Sequence, residues 1–348
     1  MLPDIALDSD LENIEPIYLT IPNESAGLRI DAAIALLTPE LSRTRLTTWL
    51  KEGRILVNNK ILRPKDKIYG GEEIIINPVP GEESFAHMPQ DIDISVVFED
   101  EHVIVINKPA GLIVHPGAGN WNGTLLNALL FHYPELKNIP RAGIVHRLDK
   151  DTSGLMVVAR TLIAQTKLVQ DLEARKVTRI YRAIVEGQPH KEGIIKKNVG
   201  RDPHNRIKMA TLNLGGKEAI TKFRVLQYFD KFSYIECKLE TGRTHQIRVH
   251  LKSIGHPLVG DATYNTRKVN YKENILDAIE SLDRQALHAI KLSFSHPVTS
   301  DIMSFQIPLA QDIKYLLLQL NENKQTLLDE LDEDCDESNW EVFYVKDE

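Results

Sequence analysis

From residue 93 onward the chain keeps returning to short β-type runs: ISVVFED, HVIVINKP, GLMVVAR, TRIYRAIVEG, AITKFRVLQYF, FSYIECKLET, ALHAIKLSFSH and MSFQI. They are rich in Val, Ile, Phe and Tyr, the residues that pack well on a pleated surface. Helical patterns are fewer, at Thr124–Phe131, Leu162–Arg175, His245–Ile254 and Ile313–Leu320. Strands outnumber helices and often follow one another directly. That order predicts an α+β fold, a mixed and mainly antiparallel sheet with helices packed on it. No tandem repeat period is present.

A different pattern precedes it. LRIDAAIALL, Leu28 to Leu37, places apolar residues at helical spacing. Ser42 is then positioned to cap a second helix, SRTRLTTWLKEG, which stops at Gly53. The short strands RILVNNK and EEIIIN follow. Between Ser42 and Lys67 stand Arg43, Arg45, Lys51, Arg54, Lys60, Arg63, Lys65 and Lys67, against only Glu52 and Asp66. A helix pair with so biased a surface suggests a small nucleic-acid-binding module; the alternative is a solvated helix face. A stretch rich in proline and poor in periodic apolar positions then reads as a linker. The predicted organisation is an acidic leader at 1–17, a binding module at 18–78, a linker at 79–92, a larger domain at 93–320 and an acidic tail at 321–348.

With 348 residues, 42% apolar and 26% charged, the chain can bury substantial cores without staples. No apolar run approaches the roughly 20 residues of a membrane span. The first twenty residues carry five acidic side chains and no Lys or Arg, the reverse of a secretory signal. Cys237 and Cys335 form no CxxC pair and fit a reducing cytoplasm, the expected location. The net charge of −7 hides an asymmetry. Residues 322–348 hold eleven acidic and two basic residues, whereas residues 21–321 hold 40 basic and 33 acidic. A basic body between acidic ends speaks to a polyanionic partner. The tail is expected to restrain nonspecific nucleic-acid binding by competing for the basic surface.

Three segments are polar in ways that packing does not explain. NKPAGLIVHPGAGN, Asn107 to Asn120, closes an apolar strand with two Pro-Gly clusters and forms a loop. GIVHRLDKDTSGLMVVAR, Gly143 to Arg160, wedges His146, Arg147, Asp149, Lys150, Asp151, Thr152 and Ser153 between two β-type runs, where side chains can project into a cleft. A metal on His146, Asp149 and Asp151 is opposed by Arg147 and Lys150 beside them. Ser153 lacks the G-x-S-x-G elbow of a hydrolase nucleophile. A carboxylate working without metal beside arginine is left, against a plain turn-capping Asp. LETGRTHQIRVHLKSIG, Leu239 to Gly255, puts Arg248 and Lys252 on one helical face while Ile247 and Leu251 can face a core. Such an arginine can neutralise a carboxylate or grip phosphate.

In this order NKPAGLIVHP, HRLDKDTSGL and GRTHQIRVHL resemble the signature blocks of the RluA family of RNA pseudouridine synthases. DRQALHA fits as well, and LRIDAAIA, SRTRL, GRILVNNK and GGEEIII are similar to an S4 RNA-binding domain. The likeness covers residues 16 to 320; the acidic extension departs from it. It implies isomerisation of uridine to pseudouridine in RNA, with no cofactor or metal. It places the catalytic aspartate on Asp149, the active-site tyrosine on Tyr181 and the arginine that pairs with the aspartate on Arg248. Arg147 falls on the residue that enters the RNA stack as the uridine leaves it. Arg43, Arg45, Arg54, Lys60, Arg243 and His245 are candidate RNA contacts.

By the same resemblance the expected substrate is large-subunit rRNA or a pre-ribosomal particle, with the three uridines of the helix 69 hairpin of 23S rRNA as target; the expected acting species is a monomer. The rivals are the same chemistry on another rRNA or tRNA site, and a non-catalytic S4-type assembly factor. A stacked uridine must be flipped out to expose its glycosidic bond. The carboxylate must then be ionised to attack C1′ or remove the 2′ proton, and a cation within about 4–6 Å favours that form. Tyr181 is a platform for the base and a relay for the C5 proton, a base only if its phenol is activated in place.

Overall fold

The computed structural model describes residues 15–79, 82–117, 119–265 and 271–321. Most of the leader, and the tail beyond residue 321 with Cys335, lie outside the described residues. The chain divides into two compact units, residues 1–85 and 86–348.

The first unit sets α1 (Ile30–Leu37) and α2 (Arg43–Lys51) against β1 (Ile17–Thr20), β2 (Ile55–Val57) and β3 (Glu73–Ile76). The three strands form an antiparallel sheet in the order β1-β3-β2. Ser42 caps α2 as its position implied, its Oγ accepting the Arg45 N–H at 3.3 Å. Ile30, Ile34, Leu46, Trp49 and Leu50 are buried with Ile55, Val57, Ile74 and Ile76. The strand expected across RILVNNK stops at Val57, because Asn58 and Asn59 take positive φ values of 48° and 61° and turn the chain.

The second unit contains β4 (Ser95–Glu99), β5 (Val103–Lys108), α3 (Leu125–His132), β6 (Ser153–Ala159), α4 (Leu162–Glu173) and β7 (Thr178–Glu186). It continues through β8 (Glu192–Lys196), β9 (Asn198–Arg201), β10 (Met209–Leu212), β11 (Ile220–Tyr228), β12 (Phe232–Leu239) and α5 (Gln246–Ser253). α6 (Glu273–Leu282), β13 (Leu287–Ser295), β14 (Ile302–Gln306) and α7 (Gln311–Leu320) complete it. A nine-stranded sheet runs β4-β5-β6-β13-β7-β12-β11-β8, with β14 also on β13. Its pairs are antiparallel except β6 with β13. This is the mixed sheet that the strand-rich sequence predicted.

Alternation along the strands buries both faces. Ile104, Ile106, Tyr181, Ala183 and Cys237 share one cluster with residues of α3 and α5. Val103, Val105, Leu155 and Val157 face the other way, onto Ala164 and Leu168 of α4. α6 and α7 pack Ala278, Leu282, Ile313 and Leu317 on Ile184 and Phe232. α6 was not anticipated, although Ile275, Ala278, Ile279 and Leu282 carry helical spacing. Part of the expected linker is packed rather than free. The Asn127 side-chain amide donates to the Ala86 and Met88 carbonyls at 3.4 and 2.8 Å, holding residues 86–88 against α3. Among the described residues no helix is long and apolar enough to cross a membrane.

Candidate active site

The first two polar segments are tied together by Lys108, at the end of β5. Its side chain is fully buried, and Nζ donates to the carbonyls of Pro109 (2.7 Å), Leu112 (2.9 Å) and Lys150 (2.9 Å). Burial pushes its pKa down to about 7, against the opposing pull of Asp151 and Asp149. Gly154 follows the polar run of the second segment at φ 115°, where a Cβ would lie 2.2 Å from the Ala289 carbonyl oxygen. Only glycine fits there, and that close approach is where β6 meets β13. From the far side Arg284, in the DRQALHA block, donates Nη1 to the Asp151 carbonyl at 3.1 Å while its fork holds Asp312 at 2.6 and 2.8 Å. The Asp149 loop is therefore fixed from both flanks.

The third segment brings in the counter-charge. Arg248 on α5 donates Nη1 to Asp149 Oδ2 at 3.3 Å. Its Nε and Nη2 donate to the two oxygens of Asp261, both at 2.8 Å, in a bidentate pair. Asp261 Oδ1 also accepts the backbone N–H groups of Thr263 and Tyr264 at 3.0 Å each. Burial alone would disfavour the Arg248 cation. The Asp261 hydrogen bonds and the charges of Asp261 and Asp149 outweigh it and hold the pKa above the ordinary arginine value. The Arg248 guanidinium lies 4.9 Å from the centre of the Tyr264 ring, with Lys252 Nζ at 5.6 Å. The shared helical face expected for Arg248 and Lys252 thus meets one aromatic ring.

Asp149, Tyr181, Arg248, Arg147, Arg243 and His245 all line one pocket. Tyr181 sits mid-sheet on β7, paired with Cys237 and Ala289, and burial pushes its phenol up to about 12. The phenol is therefore protonated at neutral pH. Its hydroxyl has no hydrogen-bond partner among the described residues. Arg147 is exposed at the rim. Arg243 is exposed too, with Nε donating to the Glu218 carbonyl at 3.1 Å. His245 precedes α5 at φ 55°, its Nδ1 2.7 Å from the Tyr264 hydroxyl, and burial lowers its pKa.

The other candidates lie in the first unit. Arg43 and Arg29 both grip the buried Asp31 at 3.2 and 2.7 Å. Arg54 pairs with Glu52 at 3.1 Å, Arg45 lies 5.8 Å from the Trp49 ring centre and Lys60 is exposed.

Two alternatives read from the sequence lose their geometry. His146 Nε2 accepts the Val157 N–H at 3.1 Å, and burial, with Arg179 nearby, pushes its pKa down to about 3. That nitrogen is committed to the backbone rather than offered to a metal, and no cluster of three potential metal ligands occurs among the described residues. Ser153 is buried and hydrogen-bonded to His288 Nδ1 at 2.8 Å, while His288 Nε2 is 3.0 Å from the Pro308 carbonyl. A carbonyl only accepts, so Nε2 carries the proton and the serine donates to Nδ1. This chain of bonds stitches β6 to β13.

Asp261, Tyr264 and Arg179 were not singled out in the sequence. LVGDATYN offered only a glycine before an Asp as a turn signal, and Arg179 stands two residues before Tyr181 in an ordinary alternating strand.

The site is thus a carboxylate facing a fixed arginine beside the central strands of a mixed sheet, rimmed by further cations, an arrangement suited to an enzyme that works on a polyanion. Residues 102–253 match the family described as RNA pseudouridylate synthase. The solved structure of Human RNA Pseudouridylate Synthase Domain Containing 1 is 25% identical, with a TM-score of 0.51 over 73% of this chain and 98% of that one. Human RNA Pseudouridylate Synthase Domain Containing 4, at 23% identity, shares the fold with a TM-score of 0.52 over 65% of this chain and 92% of that one.

The chain belongs to the RNA pseudouridine synthase family and is an isomerase of uridine in RNA. Among its relatives, Ribosomal large subunit pseudouridine synthase D of Neisseria meningitidis serogroup A is 55% identical over 302 residues, 86% of this chain and 80% of that protein. The proteins of the same name from Nitrosomonas europaea and Escherichia coli O6:H1 are 48% and 47% identical, over 86% and 80% of this chain and 87% and 86% of their own lengths.

Proposed function

We propose that this synthase modifies large-subunit rRNA in the cytoplasm, acting as a monomer on the free RNA or on an assembling particle, with the helix 69 uridines of 23S rRNA as its target. The observation that carries the catalytic reading is the 3.3 Å contact of Arg248 with Asp149 in a pocket shared with Tyr181. The target uridine leaves its stack and enters that pocket, at a cost of about a few kcal/mol. Arg147, exposed at the rim, fills the vacated place, since a planar guanidinium stacks on bases and meets phosphate.

Asp149 is the catalytic carboxylate at the sugar. Arg248 keeps a positive charge against it, and Asp261 fixes that arginine so the contact does not depend on a mobile side chain. Tyr181 packs under the base. With its proton retained, the phenol donates to the uracil rather than acting as a phenolate base, and it relays the C5 proton only if substrate binding lowers its pKa. The residue 18–78 module, read as S4-like, holds RNA through phosphates with Arg43, Arg45, Arg54 and Lys60, and Arg243 and His245 contact RNA beside the pocket. Phosphate-based binding falls steeply with salt.

The test is to map pseudouridine in large-subunit rRNA from cells lacking the protein, then from the same cells given the wild type or Asp149→Ala. The expected result is loss of pseudouridine at helix 69, restored by the wild type alone. Loss at another rRNA or at tRNA would move the substrate. An unchanged map would favour a binding factor.

A further inference from the structure

Arg179 on β7 is an arginine to which the proposed reaction gives no role. The residue is 7% exposed, and its Nε is buried with no hydrogen-bond partner. No ion pair or hydrogen bond satisfies its guanidinium among the described residues. Arginine stays protonated, so this is a buried positive charge with no counter-charge. It stands two residues before Tyr181 on the same strand, hence on the same face of the sheet. It lines both the pocket of Asp149 and Tyr181 and the adjoining cavity of about 860 Å³.

Two further features open this place. A Cβ on Gly242 would lie 2.7 Å from Arg179 Nη1, so the glycine leaves the guanidinium room against the loop. The larger cavity is also edged by Arg141, Arg147, Arg175 and Arg243. Of its carboxylates, Glu240 is bound by Lys222, with Arg175 at 3.9 Å, and Glu173 makes no ion pair with Arg179.

We propose that Arg179 binds a backbone phosphate of the RNA next to the flipped uridine, at the boundary between the uridine pocket and the larger cavity. The proposal deepens the RNA-modifying reading and rests on it. A desolvated full charge calls for a full counter-charge, and in RNA that is the phosphate. A uracil oxygen would satisfy an N–H but leave the charge unpaired. The fork of a guanidinium also matches a phosphate's two free oxygens.

The test uses the full chain, with Arg179→Met and Arg179→Lys, and a synthetic helix 69 hairpin. Arg179→Met should bind the hairpin about ten- to a hundredfold more weakly, with the slope of log affinity against log salt reduced by about one. Its melting temperature without RNA should be equal to or above that of the wild type, because the substitution removes an uncompensated buried charge. Arg179→Lys should keep the salt slope and lose part of the affinity. A hairpin carrying one neutral methylphosphonate, moved through each position near the target, should at one position weaken the wild type and leave Arg179→Met unaffected.

An unchanged slope and affinity in Arg179→Met, no discriminating methylphosphonate position, or a fall in melting temperature would each overturn the proposal, the last by making Arg179 structural. Should the Met variant fail to fold, Arg179→Gln, which also removes the charge, takes its place in the salt series and the methylphosphonate series, with the same outcomes deciding. Conversion of the hairpin by wild type is scored separately: absence of product contradicts the substrate reading, while the binding slopes still decide the role of Arg179.

Discussion

Arg248 on α5 and Arg179 on β7 line one pocket and are each 7% exposed, yet their surroundings are opposite. Arg248 spends its guanidinium on two aspartates, with an aromatic ring close by. Arg179 has no such partners. Both charges suffer the cost of leaving water, but only the first is compensated inside the protein. The wall beside the Asp149 carboxylate is built complete. The wall at Arg179 is left electrostatically unfinished. On the proposed reading, satisfaction by the protein's own groups marks a positioning device, and its absence marks a place for the RNA.

That contrast can be broken most sharply by stability. Arg248→Met leaves Asp261 buried opposite no cation and should cost about 3–5 kcal/mol in denaturant unfolding, whereas Arg179→Met should be neutral or stabilising. Equal losses in the two would erase the distinction. Asp261→Asn keeps the shape and removes the charge that fixes Arg248. It should cost about 2 kcal/mol and slow turnover with RNA affinity unchanged; turnover at the wild-type rate would show that Arg248 needs no such anchor.

A third measurement separates the arginines from the groups that do titrate. His288 is 2% exposed and burial pushes its pKa down to about 4. Its neutral form is favoured in the folded state, so its contribution is full above its unfolded value of about 6.5 and is lost as pH falls toward 4. Each pH unit in that window should cost about 1.4 kcal/mol from this residue, read as falling unfolding free energy. No such slope in the wild type, or the same slope in His288→Asn, would reassign the acid sensitivity. The smallest effect is expected for Tyr264→Phe, which keeps the ring beside Arg248 and loses the hydroxyl contacts with Met209 N–H and His245. About 1 kcal/mol is expected, with the salt dependence of RNA binding unaltered.

The same contrast explains what could be read in advance. Strands such as HVIVINKP and TRIYRAIVEG declare themselves because a buried sheet demands β-branched and aromatic residues, and Ser42 declares its helix because orphan N–H groups need an acceptor. Asp149, Tyr181 and Arg248, the proposed catalytic set, were picked out through the motifs that carry them, and the fold brings all three to one pocket. Asp261 was not, since it meets Arg248 only through the turn after α5, a contact made in space. Lys108 resembled a strand end before a proline, and its three carbonyl partners come from loops that periodicity does not place. Arg179 was hidden for a subtler reason. An arginine in an alternating strand is ordinary, and what sets this one apart is the lack of partners, a property of the folded state alone.

The central claim is that the Asp149 carboxylate, held against Arg248, performs the isomerisation. The most direct measurement is single-turnover pseudouridine formation on the helix 69 hairpin with saturating wild type or Asp149→Asn, alongside hairpin affinity. The amide keeps the side chain's size and removes its charge. The account predicts a rate at least about a thousandfold lower with binding preserved. Product formed by Asp149→Asn at the wild-type rate would contradict it.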